Sequence, residues 1–488
     1  MRLTQADASF LYTESVSGPM HIASVYVLEG ELAFEKVFKH FESRLHLIPS
    51  YRRKLAQVPF NIAHPEWVDD PDFDLANHVL PHHVPAGSSL EQGFDAAIEL
   101  NEAILDRAHP LWKVYVVSGV PDRTLILQMT HHAMIDGASG IELTTMLYDF
   151  DAKGANSEPP PKEPWVAQPM PSSAELFSRA LRDNMERLAK STPLATLRSV
   201  AEQQQLLTRA FNVMSRFASR PAVTAPFNAG VVGPHRKLRW IRKPLSEIRE
   251  IRRGLGGTIN DVVLTVVSEA VARYLDSHGE RVDGQHLRIM CPVNVRTEGQ
   301  QGALGNQVSA IFPMLPAWPM NPVTRLGAVC AEVERIKDEQ EAQALTLLQN
   351  SMPEPWPIAL VATQLVGTRF DPTALAARFQ FPVQRSIGGW RPPNMGLNFV
   401  CTNVPGVQVP QYMCGHRVLD TVGVLVLSGN IGLGITILSY NQGLYFSFIC
   451  EPRLLPDLEV ITEAADATYG ELLNAARARA EQFSKSTQ

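Results

Sequence analysis

Between Asp420 and Glu451 the chain runs from Thr421 to Cys450 without a charged side chain (TVGVLVLSGNIGLGITILSYNQGLYFSFIC). A stretch of roughly 20 apolar residues is long enough to cross a bilayer as a helix; the alternative is burial as successive strands inside a folded domain. The interruptions decide between them. Ser428-Gly429-Asn430 and Asn441-Gln442-Gly443 carry turn chemistry at about strand-length intervals, and the pieces between them are rich in Val, Ile, Tyr and Phe, which suit a pleated, buried surface. The stretch is predicted to form three buried strands with turns.

The remaining composition fits a folded, apolar-leaning protein. With 488 residues, the length allows two or three domains at roughly 150 residues each. Charged residues make up 19% against a usual ~25%. A net charge of -6 and no concentrated basic surface exclude nucleic acid as a partner, because phosphate binding needs clustered cations. The five cysteines, Cys291, Cys330, Cys401, Cys414 and Cys450, are odd in number and never in C-x-x-C spacing, which fits neither a disulfide scaffold nor a zinc site. The N-terminus MRLTQADASFLYTESVSG lacks the basic start and apolar run of an export signal, so a cytoplasmic location is expected.

Strand-like and helical stretches alternate. Met20 to Glu29 reads as a strand and Leu32 to Leu47 as a helix; Trp112 to Val117 and Leu125 to Thr130 read as strands, followed by a helix over Ser139 to Asp149. That order predicts an α/β fold. At Asp151 the sequence DAKGANSEPPPKEPWVAQPMPSS marks a boundary, which gives an N-terminal domain over 1–150, a Pro-rich linker and helical connector over 151–236, and a C-terminal domain over 237–488. In the connector, Ala174 to Lys190 and Leu194 to Ala218 are helical by pattern, broken at Thr192-Pro193, with Arg179, Arg182, Arg187, Arg198, Arg209 and Arg216 alongside an apolar stripe. The pattern suits a basic amphipathic pair on a membrane or lipid droplet. It also suits an inter-domain hairpin packed on the protein, which is the reading favoured here. Further on, Leu238 to Ile241 and Leu287 to Val295 read as strands and Asn260 to Tyr274 as a helix.

Residues 130 to 140 read THHAMIDGASG, placing His131, His132, Asp136 and Gly137 directly after an apolar strand. A neutral imidazole with a pKa near ~6.5 is the side chain best suited to take a proton from a hydroxyl and return it to a leaving group. Asp136 can hold the loop by accepting hydrogen bonds, and Gly137 permits close backbone approach. A metal site wants a third ligand, which this pair of adjacent histidines lacks. A serine nucleophile wants a G-x-S-x-G elbow, and none occurs. The other tandem, His82-His83, lies among Pro and Gly and reads as a loop.

The heptapeptide HHAMIDG resembles the H-H-x-x-x-D-G signature of bacterial wax ester synthase/acyl-CoA:diacylglycerol acyltransferases, a branch of the chloramphenicol-acetyltransferase-like superfamily. Further matches follow in the family's order: Asp7-Ala8-Ser9-Phe10, Pro19-Met20-His21, Pro110-Leu111-Trp112, Asn260-Asp261, Gly305-Asn306 and Thr402-Asn403-Val404-Pro405-Gly406. The resemblance covers nearly all of the chain.

It implies two acetyltransferase-like domains with a tunnel between them, where acyl-CoA, a substrate rather than a cofactor, meets diacylglycerol or a long-chain alcohol. Stretches from Met395 to Val409 and Thr421 to Cys450 are candidate tunnel walls. By the same resemblance His132 is the base, with His131 beside it, and Asp136 shapes the loop. Asn260 matches a polar position used at the active centre, for oxyanion stabilisation or acceptor positioning; it reads equally well as a helix N-cap. Trp112 and Asn403 are read as supports for packing and backbone geometry. No cofactor or metal is called for. Other acceptors, or a non-catalytic lipid-binding role, remain open on the sequence. For the CoA phosphates the candidates are Arg288, Arg296 and Arg385.

Overall fold

The structure, a computed structural model, describes residues 1–135, 137–154, 159, 161–190, 222–294, 308–339 and 396–486, together with 357 and isolated positions between 208 and 220. Thr4 caps α1 (Gln5–Thr13): its hydroxyl accepts the Asp7 N–H and donates to Asp7 Oδ2 at 2.6 Å. The apolar run after it forms β1 (His21–Glu29), and α2 (Phe34–Arg44) follows with Val37 and Phe41 turned inward. A small hairpin of β2 (Arg53–Ala56) and β3 (Glu66–Asp69) precedes β4 (Val79–His83). Next come α3 (Leu90–Leu100), β5 (Trp112–Ser118), β6 (Arg123–His131), α4 (Gly137–Leu147) and α5 (Ser173–Lys190).

In the second half, β7 (Lys237–Pro244), α6 (Leu245–Leu255) and α7 (Ile259–Ser277) lead into β8 (His286–Asn294), β9 (Val308–Ile311) and β10 (Met314–Pro316). The chain continues through α8 (Pro322–Asp338), β11 (Phe399–Pro405), β12 (Tyr412–Met413), β13 (His416–Val424), β14 (Leu433–Tyr440) and β15 (Gly443–Cys450) to α9 (Leu458–Ser486). The charge-free stretch is thus three strands, as the turn chemistry requires. All eight residues of β15 are buried, which explains why it tolerates no charge.

Besides the β2–β3 hairpin, the described residues form two large sheets, each with its own hydrophobic core. The first has the order β12-β13-β1-β6-β5-β4 and the second β10-β8-β11-β14-β15-β7, with β9 on β8. Helices α6, α7, α8 and α9 pack together over the second sheet. The sheets do not divide the chain at 236. Strand β13 pairs antiparallel with β1, Ser24 opposite Gly423, so the C-terminal half lends two strands to the first sheet. The seam is close: a Cβ on Gly423 would stand 2.6 Å from Thr436 Cγ2 of β14. The stretches taken as tunnel walls are the strands on either side of this seam.

Several sequence expectations are corrected. His82 and His83 are not in a loop: they end β4, paired parallel with Val117 and Ser118. The Pro81 beside them is compatible with a strand because β4 is a sheet edge. The helix expected over Ser139 to Asp149 starts at Gly137 and ends at Leu147. Helix α5 is neither wholly packed nor wholly free. Leu176 and Ala180 are buried, while Phe177, Leu181 and Met185 are 36%, 48% and 63% exposed. The Thr192-Pro193 break and most of the second connector helix lie outside the described residues, as does Gly305-Asn306. Among the described residues no single helix is long and apolar enough to cross a membrane.

Candidate active site

Three sequence motifs converge on the end of β6, two through backbone hydrogen bonds and one through a stacked ring. The His131 N–H donates to Leu111 O (2.9 Å) of Pro110-Leu111-Trp112, and the His132 N–H donates to Met20 O (2.8 Å) of Pro19-Met20-His21. From Asp7-Ala8-Ser9-Phe10, the Phe10 ring stacks on the His132 ring at 3.9 Å between centroids and 5° between planes. Strand geometry stops at His131; His132 lies in the turn that follows, half-buried. The two histidines therefore occupy different environments.

His131 is closed off from solvent. Its Nδ1 accepts the Ala133 N–H at 3.0 Å, so the ring hydrogen resides on Nε2, which lies 3.3 Å from Glu14 Oε1. Burial works to raise the Glu14 pKa, but the His131 ring it faces, the charge of Arg107 and the Met20 N–H together hold it down at about 2. His21, opposite His131 in the β1–β6 ladder, donates from Nε2 to Asn101 O at 2.7 Å. Burial drops its pKa to about 4, against the weaker upward pull of that hydrogen bond, so it is neutral near pH 7. Asp136 lies outside the described residues.

Beneath this turn, Trp112 is fully buried, donates from Nε1 to Tyr51 O at 2.8 Å, and is stacked between Tyr51 and His78. Its contacts are those of a packed core residue.

Asn260 belongs to the second half. It is not the helix N-cap: Thr258 caps α7 and forms a reciprocal capping box with Asp261. Asn260 stands exposed in the first turn, where Oδ1 accepts from Asn403 Nδ2 of β11. Asn403 thus orients a polar neighbour rather than only packing. With Oδ1 engaged in this way, the Asn260 amide is turned with its two N–H donors away from Asn403. Gly406, ending the same motif, permits a close approach, since a Cβ there would stand 2.2 Å from Ser439 O. Arg288 is not a phosphate ligand. It is buried, and its guanidinium donates to Gly396 O, Phe217 O and Arg220 O. Arg296 and Arg385 lie outside the described residues.

No sequence motif marks Glu14, Arg107 or Asn101. A lone carboxylate in a Ser-rich connection reads as a solvated side chain until its burial is seen.

The model of the wax ester synthase/diacylglycerol acyltransferase catalytic domain matches residues 3–263, and that of the family's C-terminal domain matches 304–472. The chain belongs to this family. It is an acyl-CoA-dependent O-acyltransferase. Among its relatives, the Mycobacterium tuberculosis protein named "Probable diacyglycerol O-acyltransferase tgs1" is 29% identical over 481 residues, 96% of this chain and 93% of that one. The solved wax ester synthase/diacylglycerol acyltransferase from Marinobacter aquaeolei VT8 shares the fold with a TM-score of 0.64 and 19% identity, covering 97% of this chain and 100% of that one. The first condensation domain of the calcium-dependent antibiotic synthetase shares it at a TM-score of 0.59 and 13% identity, over 97% and 96%. The two-domain acetyltransferase-like fold expected from the sequence is therefore the fold of this enzyme.

Proposed function

We propose that the enzyme moves a long-chain acyl group from acyl-CoA to the hydroxyl of diacylglycerol or a fatty alcohol, with His132 as general base. The supporting observation is that Met20 O fixes the His132 N–H and Phe10 stacks on its ring, while Leu111 O holds the preceding His131, leaving a half-buried imidazole in a turn rather than in the core. His132 takes the hydroxyl proton as the alcohol oxygen attacks the thioester carbonyl carbon. The new C–O bond forms, the tetrahedral oxyanion collapses, the C–S bond breaks, and the protonated imidazole gives its proton to the CoA thiolate. One base serves both steps, so neither an acyl-enzyme nor a cofactor enters. Such a base contributes about 10²- to 10⁴-fold in rate. Asn260 Nδ2, oriented by Asn403, is assigned to the oxyanion or to the acceptor, and the seam between the sheets is the assigned course of the tunnel.

A diacylglycerol resides in a lipid surface, and the enzyme's peripheral contact with that surface is assigned to α5. Phe177, Leu181 and Met185 form its outward stripe, Phe60 (77% exposed) packs edge-on against Phe177, and Arg182 lies exposed beside them.

The test is purified enzyme with labelled palmitoyl-CoA against diolein, hexadecanol and a short alcohol. Labelled triacylglycerol or wax ester with one CoA released per product is expected. Transfer to the short alcohol alone overturns the acceptor assignment, and lipid binding without CoA release with any acceptor overturns the catalytic one.

A further inference from the structure

Glu14 follows α1 directly, and its side chain is only 2% exposed. Its Oε1 accepts the Met20 N–H at 3.1 Å and lies 3.3 Å from His131 Nε2. Its Oε2 accepts from Arg107 Nη2 at 2.9 Å, and the same nitrogen donates to Leu11 O of α1. Two backbone amides frame His132. Its own N–H ends on Met20 O, and the next one, of Ala133, ends on His131 Nδ1. Both of those acceptors belong to residues tied to the same oxygen of Glu14. The helix that ends at Glu14 also carries Phe10, the platform for the His132 ring.

We propose that Glu14 is a positioning residue for acyl transfer: it fixes the His131 tautomer and the Met20 backbone, and through them the direction of the His132 imidazole. This rests on the reading of His132 as the base. The chemistry is specific to a carboxylate. For His131 Nδ1 to accept the Ala133 N–H, Nε2 must keep its hydrogen, and an anionic acceptor 3.3 Å away selects that tautomer. A buried ion pair adds little net stability compared with an apolar replacement, so packing alone does not account for a carboxylate here. Its connections run instead to both sides of one turn. Arg107 in turn aims the carboxylate and ties it to the end of α1.

The experiment is steady-state kinetics of Glu14→Gln in the full chain, with labelled palmitoyl-CoA and diolein, beside His132→Ala and Glu14→Asp. Gln retains an acceptor for the Met20 N–H but removes the charge and turns an NH₂ group toward Arg107 or His131. A displaced base of this kind is expected to lower kcat about 10- to 100-fold, with KM for both substrates within about twofold of the wild type. Glu14→Asp is expected to recover part of the loss. A Glu14→Gln enzyme with wild-type kcat, or one changed only in KM, overturns the proposal. Nitrogen NMR on histidine-labelled wild-type protein needs no variant to fold: His131 carrying its hydrogen on Nε2 at neutral pH is expected, and an Nδ1–H tautomer overturns the proposal. Inactive His132→Ala with normal Glu14→Gln defeats the role of Glu14 alone. Active His132→Ala defeats the general-base reading and this proposal with it.

Discussion

Each half of the molecule buries a carboxylate against an arginine. In the second, Glu269 and Arg325 are both fully closed off from solvent; the guanidinium also donates to Pro316 O and Trp318 O, and the carboxylate takes the Met320 N–H and Arg273 Nε. Every partner lies in α7, α8, the end of β10 or the chain that joins β10 to α8, and none belongs to a motif. In the first half, Glu14 meets an Arg107 that is 31% exposed, and its remaining contacts lead to Met20 and His131. The same ionic chemistry fastens a helical layer in one half and underlies the motif turn in the other. Burial of a charge pair is therefore no guide to function until its other partners are followed.

The contrast can be broken at either pair. Removing one partner of a fully buried pair leaves the other charge uncompensated, so Glu269→Ala is expected to cost ~3–5 kcal/mol in denaturant unfolding. Its activity per folded molecule should match the wild type; a kcat loss comparable to that of Glu14→Gln would erase the distinction drawn here.

The site end should also carry most of the acid sensitivity. His21 titrates at about 4 when folded and near 6.5 when unfolded. As pH falls from 6.5 toward 4 the unfolded chain takes up a proton that the native state refuses, and stability is lost. Burial shifts His40 and His78 in the same direction. Glu14, at about 2 when folded against 4.5 unfolded, contributes stability that is complete above pH 4.5 and is lost as pH falls toward 2. Each of the two larger shifts corresponds to about 3 kcal/mol at most. Denaturation midpoints measured across this range should fall in that order, and His21→Gln should flatten the upper part. A midpoint independent of pH between 7 and 4 would contradict the burial argument.

Smaller effects are expected away from the ion pairs. Asn260→Ala removes an exposed amide outside both cores, so stability should hold while kcat drops about tenfold or more through loss of an oxyanion donor; unchanged kcat would return Asn260 to a purely structural role. Leu181→Glu with Met185→Glu should change folding stability by no more than ~0.5 kcal/mol, because both side chains already face outward. Sedimentation with vesicles of phosphatidylglycerol, phosphatidylcholine and diolein should be lost, and undiminished vesicle binding would remove α5 from the lipid contact.

Much of the fold was legible because its elements are strongly patterned: β1, β5 and β6 as apolar runs, and the charge-free stretch as three strands separated by turn residues. The assignment of β13 to the first sheet was not, since an apolar strand carries no mark of which partner it will choose, and the pairing spans most of the chain. His132 stood out as the candidate base from residue chemistry and motif order. Asn260 was legible as a position, but only the capping box at Thr258 freed it from the alternative of being the cap itself. Glu14 was invisible because its meaning lies in contacts with Met20, Arg107 and His131, brought together by the pairing of β1 with β6.

The most direct test of the account is the kcat/KM of His132→Ala, measured with palmitoyl-CoA and diolein on protein whose circular dichroism and melting temperature match the wild type. A loss of about 10²- to 10⁴-fold is predicted for removal of the base. A folded His132→Ala enzyme within a few-fold of wild-type turnover would contradict it.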